Sequence, residues 1–139
     1  MKKILITTDF SKHSKNTIKY VLNLFQTSQI PCQITLLNTY VVQQTDAKQV
    51  ITMNDEMKRK SKEGLLAEEI EAKKLLNNSH ISINTTSHMG SLKNVIWQLL
   101  KKEKIDLVAM GKDGGKHVET IQTLLKEEEC PLLITYLAE

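Results

Sequence analysis

Short, apolar, β-rich runs alternate with segments of helical period along this chain, and that alternation restricts the fold more than any single residue does. Lys3 to Thr7 reads as a buried strand. Ser11 is placed to cap a helix in which Ile18, Val21, Leu22 and Phe25 keep helical spacing, and Pro31 ends that connection. Gln33 to Asn38 is a second strand. Tyr40 to Thr52 shows no period, is rich in Gln and Thr, and reads as a loop. A long helix is predicted from about Asn54 to Leu76. Ile81 to Thr86 alternates as a strand near a sheet edge. Gly90 and Ser91 open the clearest helix, with Leu92, Val95, Ile96, Leu99 and Leu100 at i, i+3, i+4, i+7 and i+8. Ile105 to Met110 is the next strand, His117 to Leu125 a short amphipathic segment, and Leu132 starts the last strand. The order β-α-β-α-β-α-β-α-β implies a parallel sheet with helices on both faces. The 139 residues fit one domain, 1–139.

In such a sheet a ligand sits outside the carboxyl ends of the strands, where the strand order reverses. The turn after Met110 is rich in glycine: Gly111, Gly114 and Gly115. Glycines let backbone approach a ligand, and amides at a following helix start can bind an anion. The run Gly111 to His117 also comes near a phosphate-loop motif, but it is one residue short, and His117 stands where the magnesium-binding hydroxyl belongs. A tight turn is the better reading. Lys112 and Lys116 with the turn amides could still hold a small anion.

Composition removes several classes. Net charge is +3, with basic and acidic residues interleaved, and aromatics are 4%. Neither a basic stripe nor a stacking platform is present, so no nucleic-acid partner is expected. No run approaches a membrane span and the N-terminus lacks a signal-peptide pattern, so no membrane partner and a cytoplasmic location are expected. Cys32 and Cys130 fit no metal or redox spacing and read as small buried hydrophobes. His13, His80, His88 and His117 match no metal pattern, although His13 and His117 both follow strands flanking the crevice. The charged helix balances its acids, Glu68 among them, against its bases and reads as a solvated face; Asp55–Arg59, Glu56–Lys60 and Glu69–Lys73 are favourable i,i+4 pairs. Trp97 sits one position off its apolar stripe and reads as a partly buried packing residue. The acidic run Glu127 to Glu129 opposes the helix dipole and suggests a helix end near Lys126.

Three motifs in order give the chain a resemblance over nearly its whole length. Lys3-Ile-Leu-Ile-Thr-Thr-Asp-Phe-Ser11, Asp106-Leu-Val-Ala-Met-Gly111 and Cys130-Pro-Leu-Leu-Ile134 resemble the first strand and loop, the fourth strand and the ending of the universal stress protein family. The resemblance implies a five-stranded parallel sheet of order 3-2-1-4-5, a Rossmann-like fold related to the adenine nucleotide alpha hydrolases, and usually a homodimer through the C-terminal strand. ATP-binding members carry Gly-x2-Gly-x9-Gly-Ser/Thr after the fourth strand. Gly111 and Gly114 match its first two glycines. Nine residues on stand Leu124 and Leu125, and alignment back from Cys130 puts Val118 and Glu119 there instead, with a loop shorter by about seven residues on the family spacing.

Two functions follow from the resemblance. The first is a non-catalytic regulatory or binding module in stress response, resembling the members that do not bind ATP, with no cofactor and an unidentified protein partner besides its own copy. The second is an adenine-nucleotide-binding domain, for ATP or AMP, with at most slow hydrolysis. For it the resemblance nominates a residual crevice of Thr8, Asp9, Thr39, Met110, Gly111, Gly114 and Gly115. Asp9 has two readings: a nucleoside contact, or a turn former bonding neighbouring amides. No catalytic residue and no metal ligand can be assigned, because no general base, carboxylate pair or arginine finger is in place.

Overall fold

The computed structural model describes residues 1–41, 47–77, 80–112 and 117–137; of residues 47–53 and 117 the helical backbone alone is described. The elements are β1 (Lys2–Thr7), α1 (Lys12–Gln26), β2 (Cys32–Tyr40), α2 (Ala47–Lys74), β3 (Ile81–Met89), α3 (Leu92–Lys102), β4 (Leu107–Gly111), α4 (His117–Glu127) and β5 (Leu132–Thr135). The strands form one five-stranded sheet in the order β3-β2-β1-β4-β5. Every pairing is parallel: Ile4 lies beside Ile34 and Leu107, Ile34 beside Ile83, and Val108 beside Leu132. This is the predicted architecture and order.

Alternation along the strands sends side chains into two cores. Ile4 and Ile6 of β1, with Ile34 and Leu36 of β2, meet Ile18, Val21 and Leu22 of α1 and Leu65 of α2. Leu5, Leu37, Val108 and Met110 turn the other way, onto Val95 and Ile96 of α3 and Ile121 and Leu125 of α4. Each fully buried Leu or Ile contributes about 1.5–3 kcal/mol of apolar transfer, so the stripes seen in sequence fix which helix covers which face. Cys32 and Cys130 are free and buried within these cores, and burial raises both thiol pKa values.

Several local expectations need correction. Residues 47–52 are helical, not loop: Ala, Lys and Gln there are good helix formers, and a helix already nucleated in the charged segment propagates into them. β2 continues to Tyr40 and β3 to Met89, because the two strands pair along their full length at Thr39–His88 and Tyr40–Met89. Arg59 pairs with Glu56 and Glu63 rather than Asp55. Glu68 leaves the solvated face entirely and is 5% exposed. Trp97 is 46% exposed, with the Lys101 ammonium 5.5 Å over its ring.

α4 runs to Glu127 and ends in a Schellman motif. Glu129 takes φ 55, the Cys130 amide donates to the Leu125 carbonyl at 2.9 Å, and the Glu129 amide donates to Lys126 at 3.3 Å. Glu128 pairs with Lys101 at 3.3 Å. The acidic run is therefore a helix stop and a surface ion pair.

Candidate functional site

The sheet order reverses between β1 and β4, and the loop after β1 is built there with care. Thr8 extends the ladder through its amide to the Leu37 carbonyl at 2.8 Å. The buried Asn38 donates its side-chain amide to the Thr8 carbonyl at 2.7 Å. Phe10 holds φ 68, and its amide donates to the Thr8 hydroxyl at 3.0 Å. A non-glycine residue in this region is strained by roughly 1–2 kcal/mol, so the surrounding bonds must hold it.

Asp9 supplies several of them. Its Oδ1 accepts from the Ser11 amide at 3.0 Å and from the Ser14 hydroxyl at 2.7 Å, while its own amide donates to Ser14 Oγ at 3.1 Å. Ser11 caps α1 by accepting from the Ser14 amide at 3.3 Å. Burial, the largest influence, raises the Asp9 pKa, yet the Ser11 and Ser14 bonds together outweigh it and leave it below the usual carboxylate value. Asp9 is thus an ionised turn former in this geometry, with its charge at the crevice wall.

The opposite wall is the end of β4. A Cβ on Gly111 would meet the His13 carbonyl oxygen and the Thr17 hydroxyl at 2.9 Å each. The absence of a side chain there lets α1 pack on β4, a structural reason separate from any ligand. The Lys112 amide donates to the Thr135 carbonyl, and its ammonium stands 5.4 Å over the Tyr136 ring. Gly114, Gly115 and Lys116 lie outside the described residues, as does the His117 side chain with its suggested approach to His13. His13 Nδ1 is buried and has no hydrogen-bond partner among the described residues.

Between these walls opens a cavity of about 610 Å³. Thr8, Asp9, Thr39, Met110 and Gly111 all line it, so five of the seven nominated residues converge. The start of α3 is a further part of the wall, one that no sequence motif marks. Gly90, at φ +137, donates its amide to the Tyr40 carbonyl; Ser91 caps the helix by accepting from the Asn94 amide; and Ser91 and Lys93 line the cavity. Thr120 from the first turn of α4 joins them. The signal was available: in a parallel sheet each helix begins at the strand ends that frame the crevice, so α3 and α4 both start there. Two helix starts and Lys93 therefore border the same cavity as the Asp9 carboxylate, and helix starts favour an anion. Glu119 is exposed in the first turn of α4, where an acid complements the dipole.

This crevice at the β1/β4 switch point is the feature to set beside known proteins. Residues 1–135 match the model of the universal stress protein family. The chain belongs to that family. Solved structures of similar fold include a universal stress protein family member from Burkholderia pseudomallei, 13% identical, covering 96% of this chain and 95% of that one with a TM-score of 0.70. UspA from Lactobacillus plantarum is 17% identical, covers 96% of each chain and scores 0.71. A family protein from Arabidopsis thaliana, solved with AMP bound, is 17% identical, covers 99% of this chain and 93% of that one, and scores 0.67. Comparison with curated protein sequences gives no match. Among the described residues no helix is long and apolar enough to cross a membrane.

Proposed function

We propose that this universal stress protein is a cytoplasmic, non-catalytic regulatory module whose crevice takes an adenine nucleoside monophosphate in preference to ATP. The observation that carries the reading is the cavity at the β1/β4 switch point, with Thr8, Asp9, Thr39, Met110 and Gly111 on its walls. Its volume suits a mononucleotide, within the roughly 300–1,000 Å³ usual for ligand sites. Two proteins of similar fold are in keeping with this reading: the Arabidopsis thaliana protein was solved with AMP bound, and one from Archaeoglobus fulgidus in complex with dAMP.

Discrimination against ATP follows from the sequence after Lys112. Four residues, Asp113 to Lys116, join it to α4, where the family resemblance implies a longer loop ending in Gly-Ser or Gly-Thr for members that bind ATP. A triphosphate needs several amide or hydroxyl donors at close range, and a short loop supplies few. A single phosphate can be met by the start of α3 and Lys93, without that loop. Calorimetric titration with AMP, ADP and ATP, with and without magnesium, is expected to give AMP the lowest dissociation constant and ATP at least tenfold weaker, about 1.4 kcal/mol. Tighter binding of ATP than of AMP would falsify the monophosphate preference, and ATP turnover lost in Asp9→Ala would refute the non-catalytic reading.

A further inference from the structure

The inward stripe of α2 runs Ser61, Leu65, Glu68, Ala72, all of them buried. Ser61 is matched by Ser87, hydroxyl to hydroxyl at 2.6 Å. Glu68 is not: neither carboxylate oxygen has a partner in good hydrogen-bond geometry among the described residues, although the Thr8 hydroxyl lies near enough to favour its charge in part. An ionised carboxylate in that state is strongly disfavoured.

Its neighbours come from three sides. The loop after β1 brings Thr8 and Asp9, α1 brings Lys15 and Lys19, and α2 itself brings Glu71. β2 and β3 beneath carry no Asp, Glu, Lys or Arg, and alternation puts His88 on the face opposite Ser87. Burial is the largest influence on Glu68 and raises its pKa; Glu71 and Asp9 add to this, while the nearby Thr8 hydroxyl and Lys15 oppose it. One turn earlier, the Phe10 ring lies so close to Gly64 that a Cβ there would meet ring atoms at 2.5–2.7 Å. The crevice loop therefore rests on α2 at two successive turns. Beside Glu68 opens a cavity of about 70 Å³ rimmed by Lys15, Lys19 and Glu71.

We propose that Glu68 is a proton-operated latch that couples the crevice loop to pH. Protonated, the carboxyl stays beneath Thr8 and the loop seats on α2. Ionised, it swings through the small cavity toward the Lys15 and Lys19 ammonium groups and leaves a void under the loop. The wall formed by Thr8 and Asp9 then keeps its bonds to Leu37, Asn38, Ser11 and Ser14 but loses its seat on α2, so ligand binding takes up a proton. The sign follows from linkage: a carboxyl whose seated state favours the proton stabilises that state below its ordinary pKa, and the contribution is lost as pH rises through the raised value. The ligand part of this inference rests on the nucleotide reading above.

The test compares wild type with Glu68→Gln, which keeps the shape and cannot ionise. The backbone amide resonances of Thr8, Asp9 and Phe10 are followed without ligand from about pH 4.5 to about pH 8. A step above the ordinary carboxylate range, present in wild type and absent in Glu68→Gln, is expected; identical profiles overturn the latch. AMP affinity is measured on both proteins, and their ratio cancels the titration of the AMP phosphate. Glu68→Gln is expected to bind about equally at about pH 5 and roughly fivefold tighter than wild type at about pH 7.5. A ratio constant with pH overturns the coupling. If neither protein binds AMP at any pH, the nucleotide reading fails, and the amide titration alone decides the latch.

Discussion

Gly111 lacks a side chain because α1 occupies the space one would fill. The sequence nominates it for backbone approach to a ligand, and the structure adds a packing reason that no motif states. Glu129 is the converse, a residue tolerated where glycine fits better. It sits at φ 55 in the stop of α4 and lends no side chain to either core. Glycine at this position removes the left-handed strain, against a smaller entropy loss in the unfolded chain. Glu129→Gly is expected to stabilise the protein by about 0.5–1 kcal/mol, read as a higher urea midpoint with unchanged slope. A lower midpoint would show that the carboxylate does something at this site beyond ending the helix.

Among the elements, α1 and α3 were readable because each has both a serine cap and an apolar stripe. α2 was legible only in part. Its inward positions Ser61, Gly64 and Glu68 are small or polar, so the apolar period that marks a buried face is missing, and the charge pattern conceals which acid turns inward. Gly64 shows why a small residue is needed: in an exposed helix, Gly→Ala gains about 1 kcal/mol of propensity. Here the methyl would strike the Phe10 ring, itself fixed by a left-handed backbone. Overpacking of this kind loses about 1–3 kcal/mol, so Gly64→Ala is expected to be destabilising on balance, with a lower thermal midpoint. A raised midpoint would mean that the ring moves aside freely and that the loop is not seated as described. The ends of β2 and β3 were illegible for another reason: Thr39, Tyr40, His88 and Met89 are extended by mutual pairing, which local sequence does not encode.

Across the whole molecule, strand order and the two-core arrangement followed from alternation, and five site residues converged because the topology gathers strand ends. Ser91 and Lys93 sit at the start of α3, which the same gathering of strand ends brings to the crevice, although no local motif marks them. The two outer strands differ: β3 is nine residues long, and β5 is four residues long with Leu132, Leu133 and Ile134 half-buried. An apolar edge of the second kind invites pairing. We expect two copies to join through β5, seen by light scattering as twice the monomer mass at about 50 µM, a range where weak dimers remain populated. A monomer mass at that concentration, or a dimer insensitive to Ile134→Lys, counts against pairing through this strand.

The parallel register also gives the start of β1 and the end of β5 unequal surroundings. Lys2 begins β1 beside Cys32, at the end of the sheet away from the crevice, whereas Thr135 lies beside Gly111 and touches Thr17, hydroxyl to hydroxyl, at 2.7 Å. An affinity tag or fluorescent fusion placed ahead of Lys2 therefore hangs clear of the ligand mouth. A fusion that follows β5 leaves the sheet beside it, on the strand edge a second copy would cover, so titrations and mass measurements on protein tagged on that side would report the tag along with the protein.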